Sequence, residues 1–188
     1  MYTNFVANLK SSAKNCRNLR AMTIVAMLIA LNLVLDKVAL QVTPQLRIGV
    51  GFLTMAMTGF LVGPVMAMSA GLATDVLSFL ATPRGDPYFP GYTISAIAGG
   101  FIYGAVLYRQ KPTLARCFLA KGLINLVVNI TLNTFWHSML YGKAIAVMLP
   151  ARITKNLMLW PLESLLLYAV AKTVSEVVRR AGLSLSKS

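Results

Sequence analysis

Long apolar stretches separated by short polar ones dominate the chain. Six apolar segments are apparent, at roughly 21–42, 47–63, 65–82, 92–108, 118–140 and 148–172. Runs such as AMTIVAMLIALNLVL lack the alternation of polar and apolar residues that a β-barrel wall requires. Several segments are shorter than the roughly 20 residues of a simple span, which indicates tilted helices or local bilayer thinning. The pattern predicts one all-α integral membrane domain, 1–188, with six transmembrane helices.

Composition and charge agree with a membrane location and suggest an orientation. Hydrophobic residues make up 57% of the 188 positions and charged residues only 12%. The termini and the loops on their side carry twelve lysines and arginines, including Lys121 at the end of loop 109–121, whereas the other side carries six. The positive-inside rule then places both termini in the cytoplasm, with a basic N-terminus at 1–20 and a basic tail at 173–188.

Polar residues recur along one face of the fifth apolar segment. Asn125, Asn129 and Asn133 follow each other at intervals of four, and Trp136 and His137 continue the stripe within a turn. Amides facing lipid are costly, so this face is predicted to turn into the bundle. Interhelical hydrogen bonding is one explanation and ligand binding is the other. We favour the first for Asn125 and the second for Asn133, Trp136 and His137.

Ionisable residues also lie within the spans. On the sixth segment Arg152, Asn156 and Glu163 lie close to one stripe, with Lys155 beside it. The two cations fit either a ligand site or snorkelling to lipid headgroups. For Glu163 we expect a structural ion pair. Asp75 lies about two turns inside the third segment, where it either pairs with a cation at the mouth or accepts hydrogen bonds from a ligand.

Small residues recur every four positions on two segments. Ala96, Gly100 and Gly104 show this spacing, and so do Ala67 and Gly71. Such spacing allows two helix backbones to approach closely. The sequence therefore predicts close helix contacts at these positions.

Motifs for catalysis and cofactors do not occur in the sequence. There is no GxxxxGK[ST], HExxH or GxSxG, and the single histidine gives no support for a metal site or a catalytic triad. The two cysteines are about a hundred residues apart and form no metal-binding pair. We expect no cofactor, no metal and no enzymatic centre, and the basic residues are attributed to membrane topology rather than to nucleic acid.

Three stretches carry a family resemblance. RGDPYFPGYTISAIAGGFIYG, NLVVNITLNTFWHSMLYGKA and LPARITKN resemble the folate-specific substrate-binding component of energy-coupling factor (ECF) transporters, over roughly 20–172. The resemblance implies capture of folate from the outside, and delivery together with a transmembrane coupling subunit and two ATPase subunits. Ala26 and Ala30 match the small-residue motif by which this family docks on the coupling subunit, although their spacing alone also fits internal packing.

Folate chemistry can be matched to the residues at the outer mouth. Its flat rings suit aromatic faces, and its two carboxylates suit guanidinium groups. The proline-rich stretch 82–96 is predicted to form a preorganised lid. The candidate binding residues are Arg47, Asp75, Arg84, Tyr88, Phe89, Asn133, Trp136, His137, Arg152, Lys155 and Asn156. The alternatives are a component for thiamine or riboflavin, a structural membrane subunit without transport function, and an integral membrane enzyme.

Overall fold

The computed structural model of the chain describes residues 2–38, 40–43, 46–81, 88–142 and 144–180. Helices account for most of this chain: α1 (Tyr2–Asn15), α2 (Leu19–Val38), α3 (Gly51–Val62), α4 (Pro64–Ala81), α5 (Pro90–Leu107), α6 (Leu114–Leu123), a π-helical segment (Ile124–Leu132), α7 (Asn133–Tyr141) and α8 (Ile145–Arg180). The helix α6, the π-helical segment and α7 follow one another without a break.

Five helical stretches are long and apolar enough to cross a membrane. They are Leu19–Lys37, Pro64–Ala81, Pro90–Leu107, Leu114–Tyr141 and Ile145–Arg180. The remaining apolar helix, α3, has only 12 residues, or about 18 Å at 1.5 Å per residue. The predicted multi-pass helical membrane fold is confirmed, and α3 coincides with the second predicted segment.

A short β-hairpin between α2 and α3 was not predicted. Strands β1 (Leu40–Thr43) and β2 (Leu46–Ile48) pair antiparallel, with Leu40 opposite Ile48. Both strands alternate apolar and polar residues, LQVT and LRI, which is the two-residue period of a strand. The expectation that the first and second apolar segments are helical up to 42 and from 47 is therefore corrected.

The close approach of α4 and α5 confirms the prediction from small residues. A Cβ atom built on Gly100 would lie 2.2 Å from the carbonyl oxygen of Ala67, and one on Gly71 would lie 2.5 Å from that of Ala96. At Gly104 the added atom would lie 2.3 Å from the backbone at the start of α4. Backbone atoms cannot give way as a flexible side chain can, so larger residues do not fit there without moving a helix.

The basic N-terminus contains a docked helix that the sequence did not reveal. The Ser12 hydroxyl donates a hydrogen bond to the Val62 carbonyl (3.0 Å), and the Asn15 amide donates to the same oxygen (3.1 Å). The backbone N–H of Val65 donates in turn to the Ser12 hydroxyl (3.0 Å). Between them Gly63 has φ +91°, a conformation that favours glycine. Helix α1 therefore supplies hydrogen-bond partners to backbone groups at the turn between α3 and α4.

Lys121 lies on a helix and not at the end of a loop, where the sequence predicted it. It lies on α6 with 3% of its surface exposed, its Nζ 3.1 Å from Oε2 of Glu163 on α8 and 4.0 Å from the centre of the Phe52 ring. A buried ammonium group requires such a partner because desolvation of an isolated charge is costly. The expected structural ion pair of Glu163 is confirmed, and Lys121 is removed from the cytoplasmic cations.

Candidate functional site

A cavity of about 710 Å³ lies among α2, α3, α4, α5, α6, the π-helical segment and α7. Its volume is within the usual range for small-molecule sites. Along α5 its lining includes Tyr92, Ser95, Gly99 and Tyr103, which share one helical face because they are three or four residues apart. From Ser95 to Tyr103 the cavity follows α5 for about 12 Å, at 1.5 Å per residue. The cavity is thus long enough for an extended ligand.

Aromatic side chains cluster at one end of the cavity. The ring centres of Phe89 and Trp136 are 5.8 Å apart, and those of Phe89 and Tyr92 are also 5.8 Å apart, both in edge-to-face arrangements. A hydrogen bond of 2.7 Å joins the Tyr92 hydroxyl to Nδ1 of His137. Tyr88 packs against Phe79 at 5.3 Å. These contacts connect the start of α5 to α4 and α7, and hold flat apolar surfaces at this end of the cavity.

Gly91 makes this aromatic packing possible. A Cβ atom at position 91 would lie 2.3 Å from Cε1 of Phe89 and 2.6 Å from Cδ2 of Trp136. The indole of Trp136 is also fixed by its Nε1, which donates to the Ser95 hydroxyl at 3.2 Å. The sequence FPGY thus turns the chain into α5 with Pro90 as its first residue, and lets two rings meet over the glycine.

Carboxylates line the wall formed by α2 and α4. Asp75 accepts a hydrogen bond of 2.6 Å from Thr93, whose hydroxyl also bonds to the hydroxyl of Tyr88. Asp36 accepts one of 3.2 Å from Ser78. Both aspartates line the cavity. This wall therefore offers carboxylate oxygens to a ligand rich in N–H donors.

An amide network joins the π-helical segment to α8. The Asn129 amide donates to Oδ1 of Asn125 (2.9 Å) and to Oδ1 of Asn156 (3.1 Å), while Asn125 donates to the Asn156 carbonyl (3.4 Å). Arg152 donates from Nη1 to the Asn129 carbonyl (3.3 Å). The interhelical role expected of Asn125 is confirmed. Of these four residues only Asn129 is among the described cavity-lining residues.

The structure gathers five of the predicted site residues around the cavity: Asp75, Tyr88, Phe89, Asn133 and His137. Three others do not line it within the described chain but bond directly to residues that do: Trp136, Arg152 and Asn156. Lys155 is not among the described lining residues. Arg84 and positions 82–87 of the predicted lid lie outside the described residues, and Arg47 lies on β2, where only the backbone is described.

Several lining residues were not predicted from the sequence: Asn32, Asp36, Tyr92, Tyr103, Lys121 and Asn129 as a cavity residue. The helical spacing of residues 92, 95, 99 and 103 was the available signal for the α5 face. It was overlooked because tyrosine in an apolar run resembles a core residue.

The side-chain amide oxygen of Asn133, Oδ1, is buried and has no hydrogen-bond partner among the described residues.

Comparison with known proteins identifies the family. Residues 20–171 match the model of the ECF transporter substrate-specific component. The chain is 37% identical over 161 residues to a folate transporter FolT of Clostridium novyi (strain NT), covering 86% of this chain and 93% of that one. It is 30% identical over 151 residues to a folate transporter FolT of Leuconostoc mesenteroides, covering 77% and 80%.

A solved structure agrees with these sequence relatives. A crystal structure of FolT bound with folic acid matches with a TM-score of 0.76 and 28% identity, covering 83% of this chain and 95% of that one. The chain therefore belongs to the family of substrate-specific components of ECF transporters. The expected family resemblance is confirmed.

Proposed function

We propose that this protein captures folate at the outer face of the cell membrane and delivers it as the substrate-specific component of an ATP-driven ECF transporter. The observation that carries the proposal is the likeness to proteins named folate transporters over 86% of the chain, with 37% identity. The crystal structure of a relative with folic acid bound adds support, because its fold matches this one at a TM-score of 0.76.

The cavity fits the chemistry of the proposed ligand. Folate joins a flat pterin through a benzoyl ring to a glutamate that carries two carboxylates. Aromatic surfaces at Tyr88, Phe89 and Tyr92 suit the rings, and the acceptor Asp75 suits an N–H group of the ligand. Arg152, half-buried beside Asn129, is proposed to meet a ligand carboxylate at the mouth.

The proposed topology has six spans, with both termini in the cytoplasm. Removing Lys121 from the twelve cations first counted on the terminal side leaves eleven, against six on the other side. The bias that the positive-inside rule requires is therefore retained. In this orientation the aromatic end of the cavity, at the start of α5, opens to the outside, where the vitamin is captured.

Helix α2 is proposed as the docking face for a transmembrane coupling subunit, which would act with two ATPase subunits. Ala26 and Ala30 are exposed on this helix, so the alternative of internal packing gains no support. Only 11% of the apolar stretch of α2 is buried within the protein. Two alanines one turn apart let another helix approach closely.

The docking proposal is tested by changing both alanines to leucine. Folate affinity of the purified Ala26→Leu, Ala30→Leu variant is expected to stay normal, because both alanines are exposed and neither is among the described cavity-lining residues. Uptake of folate into vesicles that contain the coupling and ATPase subunits with internal ATP is expected to be lost. Unimpaired uptake would contradict the docking role. As a matched control, Met27→Leu changes the same helix without adding a branched side chain at the alanine pair.

Ligand identity is tested by fluorescence titration of the isolated protein. The chain has two tryptophans, and Trp136 packs on Phe89 at the cavity, whereas Trp160 donates to the carbonyl of Phe118 elsewhere. In a Trp160→Phe background, folic acid is expected to change the emission at low concentration, and thiamine and riboflavin are expected to have little effect. Equal responses to all three vitamins, or no response to any, would refute folate specificity.

A further inference from the structure

A tyrosine at the inner end of the cavity has a buried hydroxyl group that no described residue hydrogen-bonds. Tyr103 lies on α5 eight residues beyond Ser95, lines the cavity and is 2% exposed. Its hydroxyl has no hydrogen-bond partner among the described residues. An unpaired buried hydroxyl costs free energy, roughly 1–3 kcal/mol. A bound ligand that supplies a polar atom at this point would recover that cost.

The cation that lines this inner end is already paired with a carboxylate. Lys121 also lines the cavity, and its ammonium group is 3.1 Å from the carboxylate of Glu163. The ammonium also lies 4.0 Å from the centre of the Phe52 ring, which lines the cavity as well. The ammonium group that lines the floor of the cavity is therefore already engaged by a carboxylate. A ligand carboxylate placed there would lose its hydration and compete with Glu163 for the same cation.

We infer that the Tyr103 hydroxyl is a specificity-determining contact at the cavity floor, where it hydrogen-bonds the uncharged heteroaromatic ring of the ligand rather than a carboxylate. This inference rests on the proposed folate function. A phenolic hydroxyl both donates and accepts, so it can pair with a ring nitrogen, a ring carbonyl or an amino group. The Lys121 ammonium that lines the cavity is already engaged by Glu163, which favours an uncharged partner.

The test compares Tyr103→Phe with the parent protein, by titration calorimetry in detergent. Three compounds are used: folic acid, pteroic acid, which lacks the glutamate, and p-aminobenzoylglutamate, which lacks the pterin. The variant removes one oxygen atom and keeps the ring that packs in the core. Affinity for folic acid and pteroic acid is expected to fall about 3- to 10-fold, the equivalent of one neutral hydrogen bond. Affinity for p-aminobenzoylglutamate is expected to match that of the parent.

Tyr168→Phe is the matched control, because Tyr168 packs against the same core cluster and is not among the described cavity-lining residues. It is expected to bind all three compounds as the parent does. Unchanged pteroic acid binding by Tyr103→Phe, or a loss confined to the compounds that contain glutamate, would overturn the inference. If the parent itself fails to bind folic acid, the proposed function fails instead, so the two failures are distinguishable.

Discussion

Breaking the buried ion pair between α6 and α8 is expected to cost more stability than removing it entirely. Lys121→Met leaves the carboxylate of Glu163, whose side chain is 18% exposed, without the ammonium 3.1 Å away. Removal of one partner of a buried pair typically costs about 3–5 kcal/mol, since the remaining charge stays desolvated. Replacing both partners by apolar residues of similar size is often neutral, so Lys121→Met with Glu163→Leu is expected to recover most of the loss.

The assay is thermal unfolding of the purified variants in detergent, followed by circular dichroism. For a chain of this size a loss of 3–5 kcal/mol corresponds to a fall in Tm of roughly 6–20 °C. Lys172→Met, which removes an exposed cation from α8, serves as the control and is expected to shift Tm by less than about 2 °C. If the double variant is as unstable as the sum of its single variants, the coupling inferred from the structure is wrong.

Three further substitutions test the helix packing and the mouth. Gly100→Leu places a side chain against the carbonyl oxygen of Ala67, so the variant is expected not to fold. Size-exclusion chromatography monitors this, and a monodisperse, thermally stable product would contradict the close contact. Gly91→Val displaces the aromatic rings of Phe89 and Trp136 at the mouth. The variant is expected to bind folate at least tenfold more weakly, with little change in Tm. Affinity equal to that of the parent would contradict a role of these rings in binding. Arg152→Ala is expected to weaken folic acid binding by about 1.5–3 kcal/mol and pteroic acid binding by much less; equal losses would show that Arg152 does not meet the glutamate carboxylates.

Features set by local periodicity could be predicted from the sequence. The apolar segments give the spans because hydropathy depends only on neighbouring residues. The four-residue spacing of small residues through Gly100 predicts the close contact of α4 with α5, since a small side chain permits close approach whatever the partner helix is. The stripe of amide side chains predicts the inward face of the fifth segment. Asn125 makes the expected interhelical hydrogen bond, and its partner is the Asn156 carbonyl on α8.

Features that depend on contacts between residues far apart in the chain could not be predicted from the sequence. Lys121 was assigned to a loop because nothing local indicates that Glu163, 42 residues later, neutralises it. Helix α1 is polar and docks through Ser12 and Asn15 onto a turn 50 residues away, so its hydropathy gave no signal. Likewise the sequence around Tyr103 is typical of a core residue, and only the structure shows that Tyr103 lines a cavity.

The measurement that tests the central claim most directly is identification of the small molecule that the protein retains. The protein is purified in detergent after incubation with a mixture of folic acid, thiamine and riboflavin, washed, and denatured, and the released compounds are identified and quantified by mass spectrometry. Folate capture predicts close to one folic acid per protein and neither of the other vitamins. Retention of thiamine or riboflavin in place of folic acid, or of none of the three by a folded protein, would contradict it.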